Sequence, residues 1–118
     1  MWLWEVVGID IRLETRSEGS WTVVEVGGEI DLFSAPQLKE RIARLVDEGT
    51  PRLVVNLEKV DFMDSTGLGV LLGALKRVRE RDGSLAIVCP PGPVHRVLTL
   101  TGLHKVFSVY ESLADVTS

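Results

Sequence analysis

The chain has 118 residues, 45% hydrophobic and 25% charged, with a formal net charge of −4. That length fits one domain with its own core, the composition is that of an ordinary soluble globular protein, and the acidic balance argues against a general nucleic-acid binder. A single cysteine, Cys89, excludes an internal disulfide framework and fits a reducing compartment, and no apolar run approaches the ~20 residues of a membrane span.

Met1-Trp2-Leu3-Trp4-Glu5-Val6-Val7 has no basic start and carries an acid early, so it makes a poor signal peptide. It reads as a short extension, residues 1–8, able to dock its tryptophans on a domain that occupies residues 9–118. Ile9-Asp10-Ile11-Arg12-Leu13-Glu14 alternates apolar and polar as a half-buried strand does. Ser17-Glu18-Gly19-Ser20 turns the chain and Trp21–Val26 answers as the second strand of a hairpin. Gly27-Gly28-Glu29-Ile30-Asp31 follows as a loop. Ser34 and Gln37 have the spacing of a capping box, Phe33 and Leu38 that of a hydrophobic staple, and Leu38, Ile42, Leu45 and Val46 form the inward stripe of the first helix. Gly49 and Pro51 stop it.

Arg52-Leu53-Val54-Val55-Asn56-Leu57 reads as a continuous apolar run of the kind a buried strand shows. After Asp64 the period changes: Leu68, Leu71, Leu72, Leu75 and Val78 recur as one helical stripe. Asp64 is then the N-cap, with Ser65 in the first turn. With the leucines inward, a wheel puts Thr66, Gly69, Val70, Gly73, Arg77 and Glu80 on the outer face, with Ser65 at its border. Glycine in a helix costs ~1 kcal/mol relative to alanine, so two on one outer face call for a reason, and close approach of another molecule is one. The basic group Lys76-Arg77-Val78-Arg79-Glu80-Arg81 reads as the solvated helix end.

Asp82-Gly83 turns into a strand ending at Cys89, whose thiol is expected to be buried and structural. Pro90-Pro91-Gly92-Pro93 makes a stiff corner, and a helix with Val94, Val97 and Leu98 inward ends at Gly102. Phe107–Tyr110 is a short strand, and Ser112 caps a last helix. The order ββαβαβαβα implies an α/β domain with a mixed, mainly parallel sheet and crossover helices.

Several chemistries fail on spacing. In Asp64-Ser65-Thr66-Gly67 one residue too many separates Asp from Gly for an aspartic protease. Gly67-x-Gly69 lacks its third glycine until position 73, inside the helix, which disfavours a dinucleotide loop. His95 and His104 lie in separate segments, no Gly-x-Ser-x-Gly elbow exists, and one cysteine with two histidines offers no metal-ligand spacing. A receiver domain needs an acidic pair where the first strand ends, and Thr15-Arg16 stand there. What remains is a serine at a helix start, where amide groups and the dipole tolerate a phosphate carrying about −1.5 to −2 charges. The residues leave two readings open: Ser65 is a phosphorylation site, or it only assists the cap.

Gly28-Glu29-Ile30-Asp31, Val55-Asn56-Leu57, Phe62-Met63-Asp64-Ser65-Thr66-Gly67-Leu68-Gly69-Val70-Leu71 and Thr101-Gly102-Leu103 closely resemble bacterial anti-sigma factor antagonists, which consist of a STAS domain. The resemblance runs from about residue 9 to 115. It implies that Ser65 is phosphorylated by an anti-sigma factor that is itself a serine kinase. It implies too that the unphosphorylated form binds that factor and frees a sigma factor, and that a serine phosphatase reverses the change. Asp31 maps to the loop aspartate of the binding surface, with Asp64, Thr66, Gly67, Gly69, Val70 and Gly73 beside it. On this reading the chain is a cytoplasmic substrate and switch, not a catalyst, with no cofactor, metal, direct nucleic-acid contact or membrane. A STAS scaffold in another signalling assembly, or a small-ligand or nucleotide-binding module, are the other classes the same residues allow.

Overall fold

The computed structural model describes residues 11–118; the extension at residues 1–8 and the first two residues expected in the opening strand lie outside them. The elements run β1 (Ile11–Glu18), β2 (Trp21–Ile30), α1 (Ala35–Asp47), β3 (Arg52–Met63), α2 (Ser65–Glu80), β4 (Ser84–Val88), α3 (Pro93–Leu100), a 3₁₀ turn (Leu103–Lys105), β5 (Ser108–Tyr110) and α4 (Leu113–Thr117). This is the ββαβαβαβα order that periodicity predicts. The five strands lie in sequence order across one sheet, β1 antiparallel to β2 and every later pair parallel.

Crossovers between parallel strands are right-handed, so a strand order that never reverses puts successive crossover helices on the same face. The core agrees. One cluster joins Leu38, Ile42 and Val46 of α1, Leu71, Leu75 and Val78 of α2, and Val94 and Leu98 of α3 to Val24, Val55, Leu57 and Ile87 of the sheet. On the other face Val23, Val54, Ala86 and Val88 are covered by Trp21 and by Leu113 and Val116 of α4. Leu53, Val54, Val55 and Leu57 are therefore all buried, since both faces of the strand are covered, and each full side-chain burial contributes about 1.5–3 kcal/mol. The one polar residue of the run, Asn56, is buried with its amide bonded to Glu58.

Several local expectations fail, each for a tertiary reason. Both central strands run past their predicted ends: β2 carries Gly27, Gly28, Glu29 and Ile30, and β3 carries Asp61, Phe62 and Met63. The added length pairs Gly28 with Val60, Glu29 with Phe62 and Ile30 with Met63, with register shifts on either side of the two glycines. Gly28 supplies the positive φ, +95°, at one of these irregularities. At the start of α1 there is no capping box, because Ser34 has helical backbone angles and its side chain makes no cap bond. Phe33 is 67% exposed, so no staple forms with Leu38. In α2 the inward stripe is Gly67, Leu68, Leu71, Ala74, Leu75 and Val78, whereas Leu72 is 40% exposed. The stripe is tilted because α1 lies along one flank of α2, so the wheel placed one leucine too many inside.

Candidate functional site

The parallel pairing of β2 with β3 sets two loops side by side. Ile30 and Met63 are register partners at the strand ends, and the Asp64 N–H donates to the Ile30 carbonyl at 3.1 Å. The loop after β2, carrying Asp31, thus meets the loop after β3, carrying Asp64 and Ser65. This is the carboxyl end of the parallel strands, where open α/β sheets place their sites.

Asp31 organises the first loop as an Asx turn. Its Oδ1 accepts the N–H groups of Phe33 and Ser34, both at 3.0 Å. The buried Ser34 hydroxyl accepts the Asp31 N–H at 2.9 Å and donates to the Glu29 carbonyl at 2.7 Å. The Ser34 N–H in particular, with Phe33's beside it, favours the ionised carboxylate and holds the Asp31 pKa below its ordinary value. The loop is thereby preformed, and it holds Leu32 (65% exposed) and Phe33 outward.

Asp64 caps α2 as expected. Its backbone is extended, and Oδ1 accepts from Thr66 N–H at 2.9 Å and Gly67 N–H at 3.3 Å. With the aspartate serving as cap, the exposed Ser65 hydroxyl has no hydrogen bond among the described residues. Of the two readings that the sequence leaves open, assistance to the cap finds no support in this geometry.

A groove of about 450 Å³ runs between α1 and α2. Thr66, Gly69, Val70 and Gly73 line it from α2, as the wheel proposes, and Leu32, Ala35, Pro36, Lys39, Ile42 and Ala43 line it from the other side. A Cβ built on Gly69 or Gly73 meets nothing within 4 Å, so neither glycine is needed for packing inside the domain. Gly67 differs from them. It is buried, and a Cβ there would lie 2.5 Å from Met63 Cγ and 2.8 Å from Ile30 Cγ2. Its place in the motif serves the seating of α2 on the strand ends, and it offers no face to a partner, which corrects its inclusion among the surface residues.

Three apolar side chains around these loops escape sequence reasoning: Leu32, Phe33 and Phe62, the last 49% exposed. Their exposure beside the two loops makes them candidate contact residues. A signal existed in the Asp31-x-x-Ser34 spacing, an Asx turn that would throw Leu32 and Phe33 out, but it is easily read as a cap. Among the described residues no three His, Cys, Asp or Glu side chains gather as a metal site. Cys89 is 1% exposed, and burial pushes its thiol up to about 11. No described helix is long and apolar enough to cross a membrane.

The STAS domain family model matches residues 12–116. This chain belongs to the STAS family. The STAS domain is 36% identical over 103 residues to the anti-sigma-B factor antagonist of Staphylococcus aureus, covering 87% of this chain and 95% of that relative. Among solved structures it superposes with a TM-score of 0.83 on an anti-sigma factor antagonist from Mycobacterium paratuberculosis, at 33% identity and 89% coverage of both chains. The Bacillus cell-fate determinant SpoIIAA in its phosphorylated form gives a TM-score of 0.68 at 22% identity, over 91% of this chain and 96% of that one, a likeness of fold alone. The match takes in both loops and both walls of the groove, so the candidate site of this STAS domain lies wholly within the family's common unit.

Proposed function

We propose that this STAS domain is an anti-sigma factor antagonist that works as a phosphorylation-controlled binding switch. The unphosphorylated chain binds an anti-sigma factor, itself a serine kinase, through the Asp31 loop, the start of α2 with Asp64 and Thr66, and the strip Gly69, Val70 and Gly73. The sigma factor is released as a result. The observation that carries the reading is the state of Ser65: exposed, unbonded, at the N-terminus of a helix whose cap Asp64 already supplies, and next to a preformed apolar rim. The names of the relatives at 36% and 33% identity support the partner class.

Phosphorylation of Ser65 adds about −1.5 to −2 charges where the helix dipole accepts them, so the fold stays intact. The same charge sits at the edge of the contact face beside Asp64, and burying it against a partner without a counter-charge is costly. Binding is switched off and a serine phosphatase restores it. The chain acts as substrate and ligand, needs no cofactor, and works in the cytoplasm with its partners. On this reading residues 9–118 are the domain, of which the family model matches 12–116, and residues 1–8 are an extension.

The test is phosphopeptide mapping after incubation with the cognate kinase and ATP, together with binding titrations of two variants. Label is expected on Ser65 alone. Ser65→Ala should bind and resist switching off, and Ser65→Asp should bind weakly while melting normally. Label on Thr66 instead, or equal affinity of the two variants, overturns the switch.

A further inference from the structure

The groove between α1 and α2 has a chemistry of its own. It is lined by the bare backbone of Gly69 and Gly73 and by Ile42 and Val70, and its two charged lining residues, Lys39 and Arg77, are both cations. No carboxylate lines it. Asp47, outside the lining, pairs with Arg77 at 3.6 Å, while Lys39 has no ion pair among the described residues. At about 450 Å³ the groove is of the size that encloses a bound group. An apolar segment carrying acid fits it.

The chain supplies such a segment. Residues 1–10 read Met-Trp-Leu-Trp-Glu-Val-Val-Gly-Ile-Asp, apolar throughout except Glu5 and Asp10. Their point of departure is fixed by register: Ile11 pairs with Gly28, three residues before Asp31, so the segment leaves the sheet at the end where the site lies. Ten residues reach up to ~33–36 Å, whereas the groove from Thr66 to Arg77 spans roughly 16 Å of helix.

We propose that residues 1–10 dock in the α1–α2 groove of their own chain, entering at its Thr66 end, with Glu5 toward Lys39 and with Trp4 and Trp2 further along against Gly69 and Gly73. An aromatic side chain buries about 150–250 Å² and needs close approach to do so, which a lining strip without side chains allows. A short tether gives an effective concentration on the order of millimolar, so modest contacts fill the groove and a tighter ligand displaces them. Where the antagonist reading holds, the segment and the anti-sigma factor compete for one face.

The test uses the full chain with Leu3→Cys carrying a nitroxide; Cys89 is buried, so the label goes to the new thiol. Amide signals of Gly69 and Gly73 are expected to be lost while the label is active and to return when it is reduced. Dilution with excess unlabelled protein should not change the loss, and in a Gly73→Leu background the Gly69 signal should survive. A second readout, tryptophan emission in a Trp21→Phe background, should shift to the red with Gly73→Leu. Intact groove signals, loss confined to the sheet face around Val23 and Ala86, or loss abolished by dilution, which would mean a second copy in the groove, each overturns the proposal. None of these measurements involves an anti-sigma factor, so their failure leaves the antagonist reading standing, and its failure leaves them standing.

Discussion

Alanine placed separately at Gly67 and Gly73 tests the two faces of α2 with one added methyl group each. At Gly73 the new Cβ meets nothing within 4 Å. The substitution therefore only improves helix propensity and restricts the unfolded chain, a gain of ~0.5–1 kcal/mol. At Gly67 the same methyl would lie 2.5 Å from Met63 Cγ, 2.8 Å from Ile30 Cγ2 and 3.1 Å from Met63 Sδ. Met63 has rotatable bonds and can yield in part. Ile30 is fully buried, β-branched and held in the strand, so it cannot yield without shifting backbone. Overpacking of this kind costs about 1–3 kcal/mol, and the helix gain offsets some of it, leaving a net loss of ~0.5–2 kcal/mol. In a domain of this size 1 kcal/mol moves the melting midpoint by about 4 °C. Thermal melts should therefore rise by ~2–4 °C for Gly73→Ala and fall by ~2–8 °C for Gly67→Ala, with urea m-values unchanged. A higher midpoint for Gly67→Ala, or a lower one for Gly73→Ala, would falsify the division of α2 into a seated face and an open one.

Asp64→Ala should lower stability by ~0.5–2 kcal/mol in urea titrations, because the Thr66 and Gly67 amides lose their acceptor, and it should slow phosphorylation of Ser65 as the helix start frays. An unchanged midpoint would remove Asp64 as the cap. The lowered pKa of Asp31 means that its ionised form is bound more strongly in the folded loop. The stability it adds is complete above the ordinary aspartate value near ~3.9 and is lost as pH falls through the lower folded value. The difference in melting temperature between the wild type and Asp31→Asn should accordingly be flat at neutral pH and shrink in strong acid; a difference that grows there refutes the assignment. Gly73→Leu should fold yet bind an anti-sigma factor poorly, and undiminished affinity would take the groove out of that interface. Finally, the Cys89 thiol, pushed up to about 11 by burial, should resist disulfide exchange reagents at pH 8 in the native protein and react at once in denaturant.

Element order and sheet direction were legible in the sequence because both depend on local periodicity. Leu53–Leu57 declares a buried strand, and the leucines after Asp64 declare a helix, whatever surrounds them. Asp64 as N-cap was legible for the same reason, since the cap bonds reach only two and three residues along the chain. The strip Thr66, Gly69, Val70 and Gly73 followed from helix geometry alone.

Contacts between segments distant in sequence decided the rest. Gly27–Ile30 and Asp61–Met63 look like loop until β2 and β3 pair and carry each other's hydrogen bonds onward past the glycine irregularities. Ser34 has the spacing of a cap, yet its hydroxyl bridges Asp31 and Glu29, because the loop after β2 must close on itself before α1 begins. Three glycines stand at 67, 69 and 73, alike in sequence. Only the placement of Met63 and Ile30 beneath α2 makes the first a packing requirement, and only α1 alongside makes the other two part of the lining of a groove. Local chemistry thus determined which elements form and which residue caps them. The packing of one element on another decided which side chains meet solvent, because exposure depends on what the rest of the chain covers.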